Sequence, residues 1–437
     1  MIDFLRRITP RLLKQLYHRM LSLLAAAWYG HPSRQLLVIG VTGTDGKTTT
    51  ATMIAQLFMD AGWRVGLSTS VWQQVGERRW MNESHVTMPG RFALHRLLRE
   101  MVTAKCRVAV VEISSEGVAQ SRHLGIDFDA AVWTNLSPEH IESHGTFEKY
   151  RATKGRLFAQ LKRSKKKHLS GQSVPKISVV NLDDPNAEYF LKFPAEQHHG
   201  VSLEQSSQLL ATPEAKLKVW RAENIVSYER HNTFSLNGEM VKLSLPGRVN
   251  ILNALETMAV AVTYGLSMTS IKKSLAAMPA VPGRYEDIPN TRGIRVVVDY
   301  ALTPSALEQL YRTLQPATGK RLLAVFGAAG GGRDTWKRPE LGRIAAQYCQ
   351  VIILTTDDPY DEDPGAIAGA INSGIPASTA AEVLTILDRR QAIAKAISLA
   401  QPGEVIAITG MGAEASMMVK GKKVPWSDVD VARGLVR

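Results

Sequence analysis

The sequence predicts an α/β protein: a central domain on a P-loop parallel sheet, then a C-terminal Rossmann-like, doubly wound domain. Three observations predict it. The strand candidates are continuous apolar runs, as strands buried on both faces require. Helical stretches separate them, which favours parallel pairing. And one such run, Gln35-Leu36-Leu37-Val38-Ile39-Gly40-Val41, feeds a glycine-rich turn that opens a helix, Ala51 to Ala61, stopped by Gly62.

The remaining elements follow in order. Apolar strands are read at Arg107–Ile113, ending in the carboxylate of Glu112, at Ala130–Leu136 and at Lys176–Asn181. The basic run Lys162–His168 reads as an exposed loop. Residues 205–245 alternate apolar and polar positions around Asn237-Gly238, which predicts a small antiparallel patch. Asn250–Tyr264 and Thr269–Met278 read as helices, and Val281-Pro282-Gly283-Arg284 as a hinge. Beyond it the strand pattern restarts at Arg295–Val298, Arg321–Phe326, Val351–Thr355 and Glu404–Thr409. The predicted division is therefore 1–34, a basic helix; 35–282, the central domain; and 283–437, the C-terminal domain.

Composition narrows the class. The 437 residues are 45% hydrophobic and 21% charged, which excludes a wholly disordered, collagen-like or coiled-coil chain. The two cysteines, Cys106 and Cys349, cannot form a disulfide framework or a four-thiolate zinc site. With no signal-peptide pattern, the expected compartment is the cytoplasm. The net charge of +13 is spread out and unaccompanied by an aromatic-basic stacking motif, so no nucleic-acid partner is expected. At the N-terminus, Arg6, Arg7, Arg11, Lys14, His18 and Arg19 interleave with Phe4, Leu5, Leu12, Leu13, Leu16, Met20 and Leu23 at helical spacing. Two readings stand: a helix packed on the protein's own body, or a basic amphipathic helix lying on anionic lipid, at the inner face of the membrane.

The turn Gly43-Thr44-Asp45-Gly46-Lys47-Thr48-Thr49 is a phosphate cradle. Glycines let the backbone approach phosphate oxygens, and amides at a helix N-terminus face the anion. Lys47 would neutralise outer phosphates and the Thr48 hydroxyl would hold Mg²⁺. The full P-loop pattern is not met, because its first glycine position is Val41. Mg²⁺ needs further oxygen ligands, and Glu112 at the end of the next strong strand is well placed.

These residues match a family. The glycine turn, Glu112-Ile113-Ser114-Ser115, Thr134-Asn135-Leu136-Ser137-Pro138-Glu139-His140 and Tyr150-Arg151-Ala152-Thr153-Lys154 resemble the central domain of Mur ligases. So do Asn250-Ile251-Leu252-Asn253-Ala254 and Val281-Pro282-Gly283-Arg284-Tyr285-Glu286. Asp299-Tyr300-Ala301-Leu302-Thr303-Pro304 and Arg333-Asp334-Thr335-Trp336-Lys337-Arg338-Pro339 resemble the MurE type, the UDP-N-acetylmuramoyl-tripeptide synthetases.

The resemblance implies ATP-dependent amide-bond formation in cell-wall synthesis, between the carboxylate of a UDP-linked or related muropeptide and an amino acid, through an acyl phosphate. It implies that Lys47 grips phosphates, that Thr48 and Glu112 hold one Mg²⁺, and that His140 holds a second. Lys154 falls where these ligases carry a carbamylated lysine, an anion that also reaches the metal. Asn253 would contact adenine, Arg284 the phosphates and Asp299 the ribose. Thr87, Ser114, Gln120 and Arg122 match positions that hold the acceptor, with Arg91 a further partner for anionic oxygens. Arg333, Asp357, Asp358, Gly410 and Glu414 fall in segments that bind the amino acid, and a monomer is expected.

The sequence also departs from the family. Ahead of the glycine turn the family carries a whole uridine-diphosphate-binding domain, where this sequence has little more than the basic helix. Either other surfaces recognise the nucleotide or the acceptor differs; a lipid-linked muropeptide would suit the basic start. Leu302 stands where a histidine is common. Asp357-Asp358-Pro359-Tyr360 replaces the Asp-Asn-Pro-Arg of diaminopimelate-adding enzymes, so Asp358 favours a cationic side-chain end such as lysine. The alternatives are a folylpolyglutamate-synthetase-like ligase and a non-catalytic homologue, the latter suggested by Leu302, Met411 and Ala413.

Overall fold

The computed structural model describes residues 11–82, 86–169, 171–204 and 217–437. The expectations for Phe4, Leu5, Arg6, Arg7 and residues 205–216 lie outside the described residues.

A helix, α1 (Arg11–Trp28), precedes a nine-stranded sheet. In chain order the strands are β1 (Leu37–Thr42), β2 (Val65–Ser68), β3 (Trp72–Val75), β4 (Arg78–Met81), β5 (Val108–Glu112), β6 (Ala130–Trp133), β7 (Ile177–Asn181), β8 (Gln197–Ser202) and β9 (Leu217–Arg221). In space they run β9-β8-β7-β6-β1-β5-β2-β3-β4. All pair in parallel except β3 and β4, an antiparallel edge that the apolar-run criterion missed because Trp72–Met81 is rich in Gln and Arg. The core strands are buried along their whole length, as continuous apolar runs demand.

Helices α2 (Lys47–Asp60), α3 (Arg91–Thr103), α4 (Phe147–Arg163) and α5 (Arg248–Thr263) cover the sheet. On one face α2 and α5 share a core with β1, β2 and β5, including Phe58, Leu57, Ile251 and Leu255. On the other, α3 and α4 pack through Leu94, Leu98, Leu157 and Phe158. An antiparallel patch, β10 (Glu223–Ser227), β11 (Asn232–Leu236) and β12 (Glu239–Leu243), turns at Asn237-Gly238, where both residues have positive φ. The basic run is corrected: Lys162 and Arg163 end α4, and Lys167 is buried on a short strand, donating to Asp129 Oδ2. Lys176 donates to the other oxygen at 2.7 Å, so burial of this basic stretch is offset by a buried carboxylate.

The second domain is a six-stranded sheet of β13 (Glu286–Asp287), β14 (Arg295–Asp299), β15 (Leu322–Phe326), β16 (Val351–Leu354), β17 (Glu382–Thr385) and β18 (Val405–Thr409), in the order β13-β14-β18-β15-β16-β17. Only β13 runs antiparallel. Helices α6 (Pro304–Thr313) and α7 (Lys337–Tyr348) lie on one face and α8 (Arg389–Leu399) on the other. Gly283, in the connection between domains, has φ 63°, and a Cβ there would lie 2.1 Å from the Ala413 amide nitrogen. Only glycine lets the connection pass this close to the 410–413 turn.

Candidate active site

Parallel pairing puts the loops after β1, β5 and β6 at the same end of the sheet. Register places Glu112 beside Val41, so the acidic end of β5 stands at the root of the glycine turn. Gly46 has φ 80° and a Cβ on it would lie 2.7 Å from Asn253 Oδ1, so α5 closes directly on the loop. The Thr48 hydroxyl donates to Glu112 Oε2 at 3.0 Å. The Ser70 amide donates to the same oxygen at 2.9 Å. Ser70, just past β2, was missed; its signal was its place after a strand end on the loop's side of the sheet.

Lys47 Nζ donates to Thr44 O at 2.6 Å, folded back over the loop, whose Asp45 amide donates to Asn135 Oδ1 at 2.9 Å. Lys154, buried on α4, donates to Gly43 O. Burial, and then the nearby Lys47 cation, hold its amine well below the usual lysine range. Both effects favour the uncharged amine over the ammonium, and the uncharged amine is the nucleophilic form.

The C-terminal domain completes the cleft. Thr303 Oγ1 donates to Asp45 Oδ2 at 3.0 Å across the domain boundary. Burial pushes Asp45 up and Lys47 opposes it. Arg284 stacks on Tyr300, 4.2 Å from the ring centre. Asp299 accepts the Tyr285 and Ala301 amides, each at 2.8 Å, and burial raises its carboxyl. Asp334 accepts the His140 amide at 2.6 Å and the Ile141 amide at 3.0 Å. Glu139, His140 and Asp334 form a group with ligand atoms within 4.8 Å of one another, close enough to hold a cation, and of the three only His140 is expected as a ligand from the sequence. Desolvation, then Lys154, lowers the His140 imidazole, leaving the ring neutral with one of its two nitrogens free to ligate.

The cleft these groups enclose holds about 370 Å³. Thr44–Thr49, Glu112, His140, Lys154, Asn253, Arg284, Asp299, Thr87, Ser114, Arg122 and Arg333 line it, with Leu302 opposite the loop's domain. Gly43 sits beneath it, where a Cβ would overlap Thr134 Oγ1. Gln120 does not line the cleft; its Oε1 accepts Arg122 Nη2 at 2.8 Å and its carbonyl accepts Arg91 Nη2 at 2.9 Å. Asp357, Asp358 and Gly410 also lie outside it. A Cβ on Gly410 would lie 2.1 Å from Asp357 Oδ2, and burial pushes Asp357 up to about 6 against the pull of Arg389. Asp358 accepts the Met418 amide at 2.7 Å. Glu414 lines an adjoining crevice with Arg284 and Tyr300. A larger hollow of about 1340 Å³ lies between the domains, lined by Asn181, Arg248 and Arg312 and by no residue of the glycine turn.

A phosphate-cradling loop, an acidic strand end and a second α/β domain closing over both define an ATP-dependent ligase that activates a carboxylate. Residues 41–261 match the Mur ligase middle domain and residues 283–412 the Mur ligase, glutamate ligase domain. A UDP-N-acetylmuramyl-tripeptide synthetase of Roseiflexus sp. (strain RS-1) is 38% identical over 94% of this chain and 81% of its own. A UDP-N-acetylmuramoyl-L-alanyl-D-glutamate–2,6-diaminopimelate ligase of Geobacillus thermodenitrificans (strain NG80-2) is 34% identical over 96% and 82%. Among solved structures, a diaminopimelate ligase of that description aligns with TM-score 0.58 at 29% identity, covering 92% of this chain and 78% of that one. A Mycobacterium tuberculosis folylpolyglutamate synthase shares the fold, with TM-score 0.65 at 18% identity over 93% and 98%. The chain belongs to the Mur ligase family, ADP-forming ligases that make amide bonds in peptidoglycan synthesis.

Proposed function

We propose that this protein is a MurE-type ligase that joins the terminal carboxylate of a UDP-linked or related muropeptide to an amino acid. One observation carries the reading: Lys47, Glu112 and Lys154 face Arg284 and Arg333 of the other domain across a single cleft. In-line transfer from a nucleotide to a carboxylate needs this juxtaposition of two substrates among fixed cations.

The acceptor carboxylate attacks the γ-phosphate, ADP leaves, and the amino group displaces phosphate from the acyl phosphate. Lys47 and Arg284 hold phosphoryl oxygens as charge builds on them. The donor set fits Mg²⁺: hard oxygens of Thr48 and Glu112 for one ion, and the His140 group for a second. Bound there, Mg²⁺ supplies charge neutralisation on phosphate oxygens. The Lys154 amine, in its uncharged form, adds CO₂, forming an N–C bond and releasing one proton, which leaves an anionic carbamate where an ammonium would repel Mg²⁺. Asn253 faces the adenine, Asp299 the ribose, and Thr87, Ser114 and Arg122 the acceptor, with Gln120 holding Arg122 in place. Arg333 marks the amino-acid end of the cleft and Glu414 the adjoining crevice, while Asp357, Asp358 and Gly410 act from outside the cleft wall.

Asp358 carries an acid where diaminopimelate-adding enzymes carry a neutral amide, and Tyr360 sits under the Arg333 guanidinium, 4.6 Å from its ring centre. The acid at Asp358 favours a cationic distal group, so lysine or ornithine is the expected substrate. The protein acts as a monomer at the inner face of the membrane, with peripheral contact through residues 1–30. The test is ADP release with ATP, Mg²⁺ and UDP-MurNAc-dipeptide while the amino acid varies. Release with lysine and not diaminopimelate supports the reading; release with folate and glutamate alone replaces it.

A further inference from the structure

Helix α1 is amphipathic the wrong way round for a helix that serves only the protein's own core. It packs inward through small residues: Ser22, Ala25 and Ala26 are buried. Ser22 Oγ donates to Ser121 O at 2.8 Å, and Ala26 sits so close to Gly125 that a Cβ there would lie 2.6 Å away. Its large apolar side chains face out. Leu16, Met20 and Leu24 are each more than half exposed, and Trp28 is 75% exposed. Their spacing of four puts them on one stripe. The helix is fixed in this pose, since Arg99 donates to Tyr29 O at 2.8 and 2.6 Å just beyond its end.

We infer that this outward stripe is a docking face for an anionic phospholipid bilayer, which names the surface and the partner for the membrane contact included in the reading above. Residues 4–44 carry six Lys and Arg and no Asp or Glu. A second copy docked by twofold symmetry would set this cationic segment against itself, whereas anionic headgroups complement it. Among the described residues no helix is long and apolar enough to cross a membrane, so α1 lies along the surface. Trp28 and Tyr17 give it aromatic side chains suited to the interfacial zone. The pose also orients the enzyme. α1 packs on α3, which starts at Arg91 directly after Met88-Pro89-Gly90, and Arg91 Nη2 bonds His18 Nδ1. The acceptor end of the cleft therefore lies on the side of the molecule that meets the bilayer.

The test is co-sedimentation of the full chain with vesicles of phosphatidylcholine, with and without phosphatidylglycerol. Wild type pellets with the anionic vesicles, less in high salt, and weakly with phosphatidylcholine alone. The triple variant Leu16→Ser, Met20→Ser, Leu24→Ser loses about tenfold or more of the bound fraction, and Lys14→Gln with Arg19→Gln loses it on anionic vesicles only. Circular dichroism and ADP release from a soluble acceptor report folding and chemistry separately. Wild type left in the supernatant, or a triple variant that binds equally, overturns the inference. So does a wild-type dimer in gel filtration that the triple variant dissolves. Vesicle binding without ADP release would instead sink the ligase reading and leave the docking face standing.

Discussion

Lys337 Nζ donates to Glu139 Oε1 at 2.9 Å, joining the first turn of α7 to the segment that leaves β6. Both side chains are nearly buried. Beside them Asp334 caps the amides of His140 and Ile141, and Glu142 returns the bond to the Thr335 amide at 3.0 Å. These reciprocal bonds hold the C-terminal domain over the loop, and burial still pushes Glu139 up to about 7 despite Lys337.

Removing Lys337 leaves Glu139 buried without its cation. Lys337→Met should cost about 3 kcal/mol, as breaking one side of a buried pair does. Urea unfolding measures it. A loss within about 0.5 kcal/mol, the size of an ordinary surface change, would mean the pair adds nothing.

Lys47 is the cation closest to the transferring phosphate in the proposed chemistry. Lys47→Ala should lower kcat for ADP release by about a hundredfold or more, with folding unchanged. Parental turnover in this variant would remove the phosphate cradle from the mechanism.

The proposed chemistry has Lys154, buried and with its amine held well below the usual lysine range, take up CO₂. ¹³C NMR of protein equilibrated with labelled bicarbonate should show one carbamate signal that Lys154→Ala abolishes. The same variant should lose about a hundredfold in rate, with partial rescue by short carboxylic acids. A carbamate signal that survives the substitution places the modification elsewhere.

His123 and His199 are buried and each imidazole is pushed down to about 4, chiefly by desolvation. Trp220 Nε1 donates to His199 Nδ1 at 3.0 Å, which requires that nitrogen unprotonated. Because the folded values lie below the unfolded one, their contribution is complete above pH 6.5 and drains away as pH falls toward 4. Each should cost on the order of 2–3 kcal/mol across that window. Urea midpoints that stay level from pH 7 to 4 would contradict this, and His199→Gln should flatten the slope by about one proton.

Much of this was legible from residue order. Continuous apolar runs gave most of the core strands to within three residues, because strands covered on both faces admit few polar residues, while the short β2 and the polar-started β8 went unread. Gly43 to Thr49 announced the loop because close backbone approach restricts residue type. The Gln- and Arg-rich edge strands β3 and β4 were not legible, since one of their faces meets water. Lys167 looked solvated, because the carboxylate that neutralises it, Asp129, is 38 positions away.

The sequence alone determined the glycine loop, the acidic end of β5 and the two-sheet plan, since each is a local pattern of residue types. Only the tertiary structure decided that Ser70 joins Glu112, that Arg91 meets the Gln120 carbonyl, that Asp334 meets His140, and which side of α1 faces out. Those depend on distance between residues remote in the chain, which packing sets and residue order does not state.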